Sequence, residues 1–249
     1  MRLHSFIAAC VIFFVGCSEG PKQLQQETAE THPNGSKKKE NFFYLKGGQK
    51  DIVRTVFYFP DGSVRSDAYF KDTKPDSITI INYQNGKRYK ETGYNLGKKN
   101  GKELSWYENG KVKSEATFVN DTAVGAATTY YDNGNKQSEI TYKNGKREGA
   151  LSSWFLSGNK KKITNYTGDV RNGAEQEWYE NGKLKKEQNY QNDVLNGPAN
   201  SYYENGKKEE EVTYLSGAPD GKKTRWDEKG KKTGEATFKN GEMIEGKSY

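Results

Sequence analysis

The chain has 249 residues, a formal net charge of +7, 32% hydrophobic residues and a mean hydropathy of -1.08. So little apolar material excludes a thick-cored globule and points to disorder unless the apolar residues are placed regularly along the chain. Histidine and cysteine do not occur between Ser36 and Tyr249, which removes Ser-His and Cys-His nucleophiles and His- or Cys-based zinc sites from that stretch.

Residues 1–16 read as a signal peptide: Arg2 gives a positive start, and Phe6 to Val15 form an apolar run too short to span a bilayer as a helix. The sequence Val15-Gly16-Cys17-Ser18 resembles the lipobox of bacterial lipoproteins. That resemblance implies cleavage before Cys17 and a lipid on its side chain. Cys10 leaves with the signal, so Cys17 becomes the sole cysteine and no internal disulfide can form. Residues 17–50 are expected to be a lipidated N-terminus and a flexible polar tether, because Gln23, Gln25, Gln26, Glu27 and Asn34 give the stretch little to bury. Lys37-Lys38-Lys39 reads as part of a solvated spacer, with contact to anionic headgroups as the alternative.

From residue 51 to 249 the chain repeats, and a repeat outranks other fold signals. Glycine recurs at Gly62, Gly86, Gly110, Gly134, Gly158, Gly182, Gly206 and Gly230, each step 24 residues long. An aromatic follows eight residues later, at Phe70, Tyr94, Phe118, Tyr142, Tyr166, Tyr190, Tyr214 and Phe238. Four residues before the glycine stand Tyr58, Trp106, Tyr130, Trp154, Trp178, Tyr202 and Trp226, with Asn82 as the exception. A second glycine column runs through Gly101, Gly125, Gly149, Gly173, Gly197 and Gly221. Each unit reads as two strands of five to seven residues, joined at segments such as Tyr107-Glu108-Asn109-Gly110-Lys111, where Asn and Gly accept the positive φ of a tight hairpin.

The expected fold is all-β: an elongated, twisted, single-layer antiparallel meander of about eight 24-residue units. Sixteen strands at ~4.8 Å would make a sheet on the order of 75 Å long. Two hairpin registers are open. A two-residue loop sets Tyr107 opposite Val112, and a bulged three-residue loop sets Trp106 there. The bulged register is preferred, because it is expected to gather Leu104, Trp106, Val112, Ala116 and Phe118 on one face and Ser105, Tyr107, Lys113, Glu115 and Thr117 on the other.

Units such as WYENGKVKSEATF and YYENGKKEEEVTYLSG resemble the bacterial variant of the MORN repeat, a family that carries a YwqK-type antitoxin label. The resemblance covers roughly residues 55 to 246 and rests on turn and core residues, so it implies the hairpin-array fold and, by its label alone, an immunity or antitoxin role. A lipid on Cys17 would place such a role in the envelope.

No column reads as catalytic, cofactor-binding or metal-binding. Asp67, Glu91, Glu115, Glu139, Glu187, Glu211 and Glu235 form an acid column broken by Ile163. Catalysis requires one carboxylate made unlike its twin, whereas a periodic column repeats one environment, so cross-strand pairing with lysines explains it better. The lysines after the turns read as a solvated face. Trp106, Trp154, Trp178 and Trp226 are the candidate binding face, since a single layer leaves ring area open for stacking or for a partner. The expected function is a non-enzymatic, membrane-anchored scaffold outside the cytoplasm, in the outer membrane where a cell has two. It would dock an envelope protein and no nucleic acid. Binding of a glycan, the cell wall or an anionic surface is the alternative, and an envelope immunity role is a third.

Overall fold

The computed structural model describes residues 23–249; the expected signal peptide and Cys17 lie outside the described residues. The described residues form 21 strands. They are β1 (Gln25–Thr31), β2 (Lys37–Lys46), β3 (Gln49–Tyr58), β4 (Val64–Lys71), β5 (Lys74–Asn82), β6 (Arg88–Asn95), β7 (Lys98–Trp106), β8 (Val112–Val119), β9 (Thr122–Tyr130), β10 (Lys136–Lys143) and β11 (Lys146–Trp154). Then follow β12 (Lys160–Thr167), β13 (Val170–Trp178), β14 (Leu184–Gln191), β15 (Val194–Leu195), β16 (Gly197–Tyr202), β17 (Lys208–Leu215), β18 (Ala218–Pro219), β19 (Gly221–Trp226), β20 (Lys232–Lys239) and β21 (Glu242–Ser248). Each strand pairs antiparallel with the next in sequence, giving one open sheet; β15–β16 and β18–β19 are two strand lines interrupted at Asn196 and Asp220.

The array begins earlier than the expected boundary at residue 51. From Gln25 onward the supposed tether is sheet: β1 and β2 pair, and Glu40, Asn41 and Phe43 in β2 are each 5% exposed. A stretch as polar as QQETAET reads as linker when burial is the criterion, but in this sheet the backbone ladder holds it.

The hairpin register is the bulged one. Trp106 faces Val112, while Ser105 faces Ser114, so β8 carries one extra residue there. The Tyr107 amide donates to Lys111 O (2.9 Å) and the Gly110 amide to Tyr107 O (2.8 Å), with Gly110 at φ +91°. The expected face assignment fails for Glu115, Ala116, Thr117 and Phe118, because the bulge shifts the alternation between Val112 and Ser114. Trp106, Leu104, Val112 and Glu115 share one face, here the tryptophan face. Lys113, Ser114, Ala116 and Phe118 share the other, with Tyr107 under the Lys113 ammonium (5.5 Å to the ring centre).

On that second face the Phe118-type column lies directly across from the second glycine column: Phe118 opposite Gly101, Tyr142 opposite Gly125, Tyr166 opposite Gly149 and Tyr190 opposite Gly173. The glycine supplies a positive φ, +97° at Gly101, a conformation that costs a residue with a side chain more than it costs glycine. The first unit has Ser77 there, at φ +70° and opposite Tyr94.

The apolar core is very small. Only Phe43, Val56, Ile140, Ala199 and Val212 are buried apolar residues among those described, against nine buried polar ones, so burial alone cannot hold the sheet. Side chains that tie each unit to the next supply the difference. The Tyr107 hydroxyl donates to Tyr130 O (2.7 Å), and Tyr83, Tyr131, Tyr179 and Tyr203 make the same bond 23 residues on, to Trp106, Trp154, Tyr202 and Trp226. The turn asparagines act twice: Asn109 Oδ1 accepts the Lys111 amide (2.9 Å), and its Nδ2 donates to Asp132 O in the next turn (2.9 Å). Lys111 Nζ adds a bond to Asn133 O (2.6 Å), and Lys183 and Lys207 repeat it. These lysines are therefore fastened to the next turn and are not a free solvated row.

Phe155 stands where a turn tyrosine is expected and has no hydroxyl for Trp178 O. Phe155→Tyr is expected to raise unfolding free energy by about 1 kcal/mol and Tyr107→Phe to lower it by about the same, read from urea denaturation. Ser77→Gly is expected to stabilise by roughly 0.5–1 kcal/mol, since it relieves a left-handed conformation that costs a side-chain-bearing residue more than glycine.

Candidate docking face

The four tryptophans do form a column. Trp106 ends β7, Trp154 ends β11, Trp178 ends β13 and Trp226 ends β19, all on the tryptophan face and all half-buried. Tyr130 and Tyr202 fill the intervening places. With two strands per unit, successive rings are ~10 Å apart along the array. The carbonyls of Trp106, Trp154 and Trp226 each accept a tyrosine hydroxyl from the preceding unit, so the clamp that joins units also fixes the column.

The acid column lies on the same face, and its carboxylates are engaged by neighbouring side chains. Tyr130 donates to Glu115 (2.6 Å), Tyr202 to Glu187 (2.8 Å) and Tyr58 to Glu40 (2.7 Å). Lys136 pairs with Glu139 three residues on, and Lys208 with Glu211, while their ammonium groups lie 5.8 Å and 5.9 Å from the Trp154 and Trp226 ring centres. Most positions thus combine a ring and a carboxylate, with a lysine in several units; beside Trp178 the place of the carboxylate is taken by Ile163.

Burial and then the Glu40 carboxylate push the Tyr58 phenol up to about 12, and burial with Glu187 does the same for Tyr202. The Glu235 carboxyl is drawn down to about 2 by Lys222, Lys232 and the Tyr249 hydroxyl. On the opposite face, burial alone would raise Glu103, Glu175 and Glu210, but hydrogen-bonded partners outweigh it and leave each below the usual carboxylate value. For Glu175 those partners are Thr164, Lys162 and Gln188. A general acid at neutral pH needs a raised carboxyl, and no described carboxyl that shifts goes up. Among the described residues, no three His, Cys, Asp or Glu side chains gather as a metal cluster would require.

The sequence reading missed a further unit at the N-terminal end. His32-Pro33-Asn34-Gly35-Ser36 is a turn of the same kind: Asn34 Oδ1 accepts the Ser36 amide (3.0 Å), and Asn34 Nδ2 donates to Pro60 O (3.0 Å). His32 Nε2 lies 3.0 Å from Tyr58 O, the carbonyl position that a turn tyrosine serves in later units. The signal was present: Gly35 has Glu40 five residues on and Phe43 eight residues on, as Gly110 has Glu115 and Phe118. The spacing to Gly62 is 27 rather than 24 residues, and that break hid it. At the other end, the Tyr249 hydroxyl donates to Glu235 (2.7 Å), one residue short of the aromatic column's period.

The family model described as MORN repeat variant matches residues 99–120, 123–144, 171–192, 195–215 and 219–240. No curated protein matches the chain. Among solved structures, a TcdB2-TccC3-Cdc42 complex aligns at 11% identity and TM-score 0.18 over 85% of this chain; the match spans only 16% of that chain's length. A porin-like protein from Bacteroides uniformis aligns at 10% identity and TM-score 0.19, over 92% of this chain and 96% of the other.

Because folding raises the Tyr58 and Tyr202 values from 10 to about 12, their contribution to stability is complete below pH 10 and is lost as pH rises through 12. The wild type is expected to lose more stability between about pH 9 and pH 11.5 than Tyr58→Phe/Tyr202→Phe, measured by urea midpoints at each pH.

Proposed function

Since the chain is a MORN-repeat protein, we propose that it is a non-catalytic lipoprotein of the cell envelope, anchored through lipid on Cys17, whose hairpin array is a scaffold for protein partners. The observation that carries this reading is the column of Trp106, Tyr130, Trp154, Trp178, Tyr202 and Trp226. It runs unbroken on one face, with its carboxylates already bonded to tyrosine or lysine. Half-exposed rings beside carboxylates already held by a neighbouring side chain offer another protein a continuous aromatic strip to cover, which suits a docking surface.

A basic-surface reading is less well supported. Lys87, Lys111, Lys183 and Lys207 spend their ammonium groups on backbone carbonyls of the next turn. Nucleic-acid binding would need such cations free beside stacking rings. The proposed role places the protein outside the cytoplasm, where an immunity function would also have to operate.

Two measurements test the proposal. Cys17→Ser is expected to move the protein from the membrane fraction to the soluble fraction; retention in the membrane contradicts the anchor. A soluble form beginning at Ser18, used as bait on cross-linked envelope extract, is expected to capture a stoichiometric protein that Trp154→Ala/Trp178→Ala no longer captures. Capture unchanged by that pair of substitutions contradicts the docking face, and strong signals on a polysaccharide array with no protein partner favour glycan binding instead.

A further inference from the structure

The hairpin of β11 and β12 departs from the others on the tryptophan face. Cross-strand pairing sets Glu139, Ser152, Ile163, Gln176 and Glu187 in one row across β10 to β14. Elsewhere along this row, from Asp67 to Glu235, a carboxylate stands on every second strand, about 10 Å from the next. Ile163 breaks that order and leaves a window of four strand steps, roughly 19 Å, with no carboxylate in the row. Trp154 and Trp178 border the window, each two residues along its strand from Ser152 or Gln176. Leu184 pairs with Trp178, and both it and Ile163 are half-buried, as the two rings are.

The adjoining turn changes in the same direction. Leu156 stands where other turns carry Glu108, Asp132, Glu180, Glu204 and Glu228, and it is 53% exposed. This turn is tied to the following one by Asn159, on Glu180 O (2.8 Å), whereas Tyr107, Asn109 and Lys111 all tie theirs. The joint between Trp154 and Trp178 is therefore more loosely fastened than its neighbours on either side.

The loss of the acid also releases a cation. Lys37, Arg88, Lys136, Lys208 and Lys232 each pair with a carboxylate three residues on. Lys160 holds the equivalent place, three residues before Ile163, and forms no ion pair among the described residues. It is exposed and stands opposite Trp154 in the strand pairing. The equivalent Lys136 and Lys208 lie by the Trp154 and Trp226 rings, which places Lys160 on the Trp178 side of the window as well. An apolar window with an unneutralised ammonium at its rim occurs once along the column.

We infer that this window is the centre of the docking face and takes a segment of a partner protein in which a large apolar side chain adjoins a carboxylate. The apolar side chain covers Ile163 between Trp154 and Trp178, and the carboxylate pairs with Lys160. Such a contact concentrates binding on a few residues, and the ion pair selects by sign. A second copy of the chain fits poorly, because its own window brings another unpaired Lys160 and no carboxylate for either. The inference rests on the scaffold reading and names the chemistry of the partner at that face.

The test uses the isotope-labelled soluble chain from Ser18 and the peptide acetyl-Gly-Asp-Leu-Phe-Asp-Gly-amide, followed by nuclear magnetic resonance. The chain has four tryptophans, so each indole N–H signal can be followed separately. Saturable shifts of the Trp154 and Trp178 signals are expected, weaker at higher salt. Peptides with alanine for leucine and phenylalanine, or lysine for aspartate, are expected to bind more weakly by about tenfold. Ile163→Glu restores the residue type of the other units and gives Lys160 a partner. It is expected to keep the circular dichroism spectrum and to weaken binding about tenfold. Lys160→Glu is expected to reverse the preference between the aspartate and lysine peptides. No saturable shift, equal shifts of all four indoles, or binding unchanged in Ile163→Glu would each overturn the inference. An envelope protein captured equally by Ile163→Glu and lost with Trp154→Ala/Trp178→Ala would overturn the window while leaving the scaffold reading standing.

Discussion

A sheet one layer thick has no second layer to bury its faces against, and the whole molecule is arranged around that constraint. Backbone ladders satisfy the main chain but do not by themselves make an open sheet stable in water. Here each hairpin is tied to the next by a tyrosine hydroxyl on a carbonyl 23 residues on, by a turn asparagine that bonds both its own loop and the following one, and by a lysine on the following turn. The ENGK turn therefore closes a hairpin and couples it to its neighbour. Tyrosine is suited to the clamp because its ring packs against the face while its hydroxyl reaches a polar atom.

The clamps also account for the irregular middle of the array. Phe155 cannot bond Trp178 O, and Ser157 replaces the turn asparagine; Asn159 takes over the link, donating to Glu180 O (2.8 Å). On the opposite edge, the same stretch carries two ion-pair clamps absent elsewhere among the described turns. Arg147 holds Asp169 (2.9 Å) while stacked on Tyr166, and Arg171 holds Asp193 (2.9 Å) while stacked on Tyr190. The family model skips residues 145–170, within the stretch where these substitutions fall. One edge has lost a link and the other has gained two.

The sequence revealed the period, the all-β class and the bulged register, because all three are written in residues that cannot be exchanged freely: a glycine at positive φ and an aromatic across from it. It misassigned the faces, since one extra residue at Lys113–Ser114 moves Ala116 and Phe118 to the side opposite Trp106. The first hairpin escaped notice because a polar strand in a coreless sheet looks like linker and because its spacing is 27 residues. The turn tyrosines read as turn residues on the polar face; that their hydroxyls bind the next unit depends on geometry 23 residues away, which no local pattern encodes. The four tryptophans were legible as a column, but their fastening to tyrosine clamps was not.

If neighbour links hold the array, stability is local and falls from unit to unit where links are missing, as in other one-dimensional repeat proteins. Peptide-resolved native-state hydrogen exchange on the wild type and on Tyr131→Phe tests this most directly. The links described predict fastest exchange in β1 and β21, and a loss of protection in Tyr131→Phe confined to β9 through β12. Uniform protection along the sheet, or an equal loss in every strand, would show one cooperative unit and contradict the account.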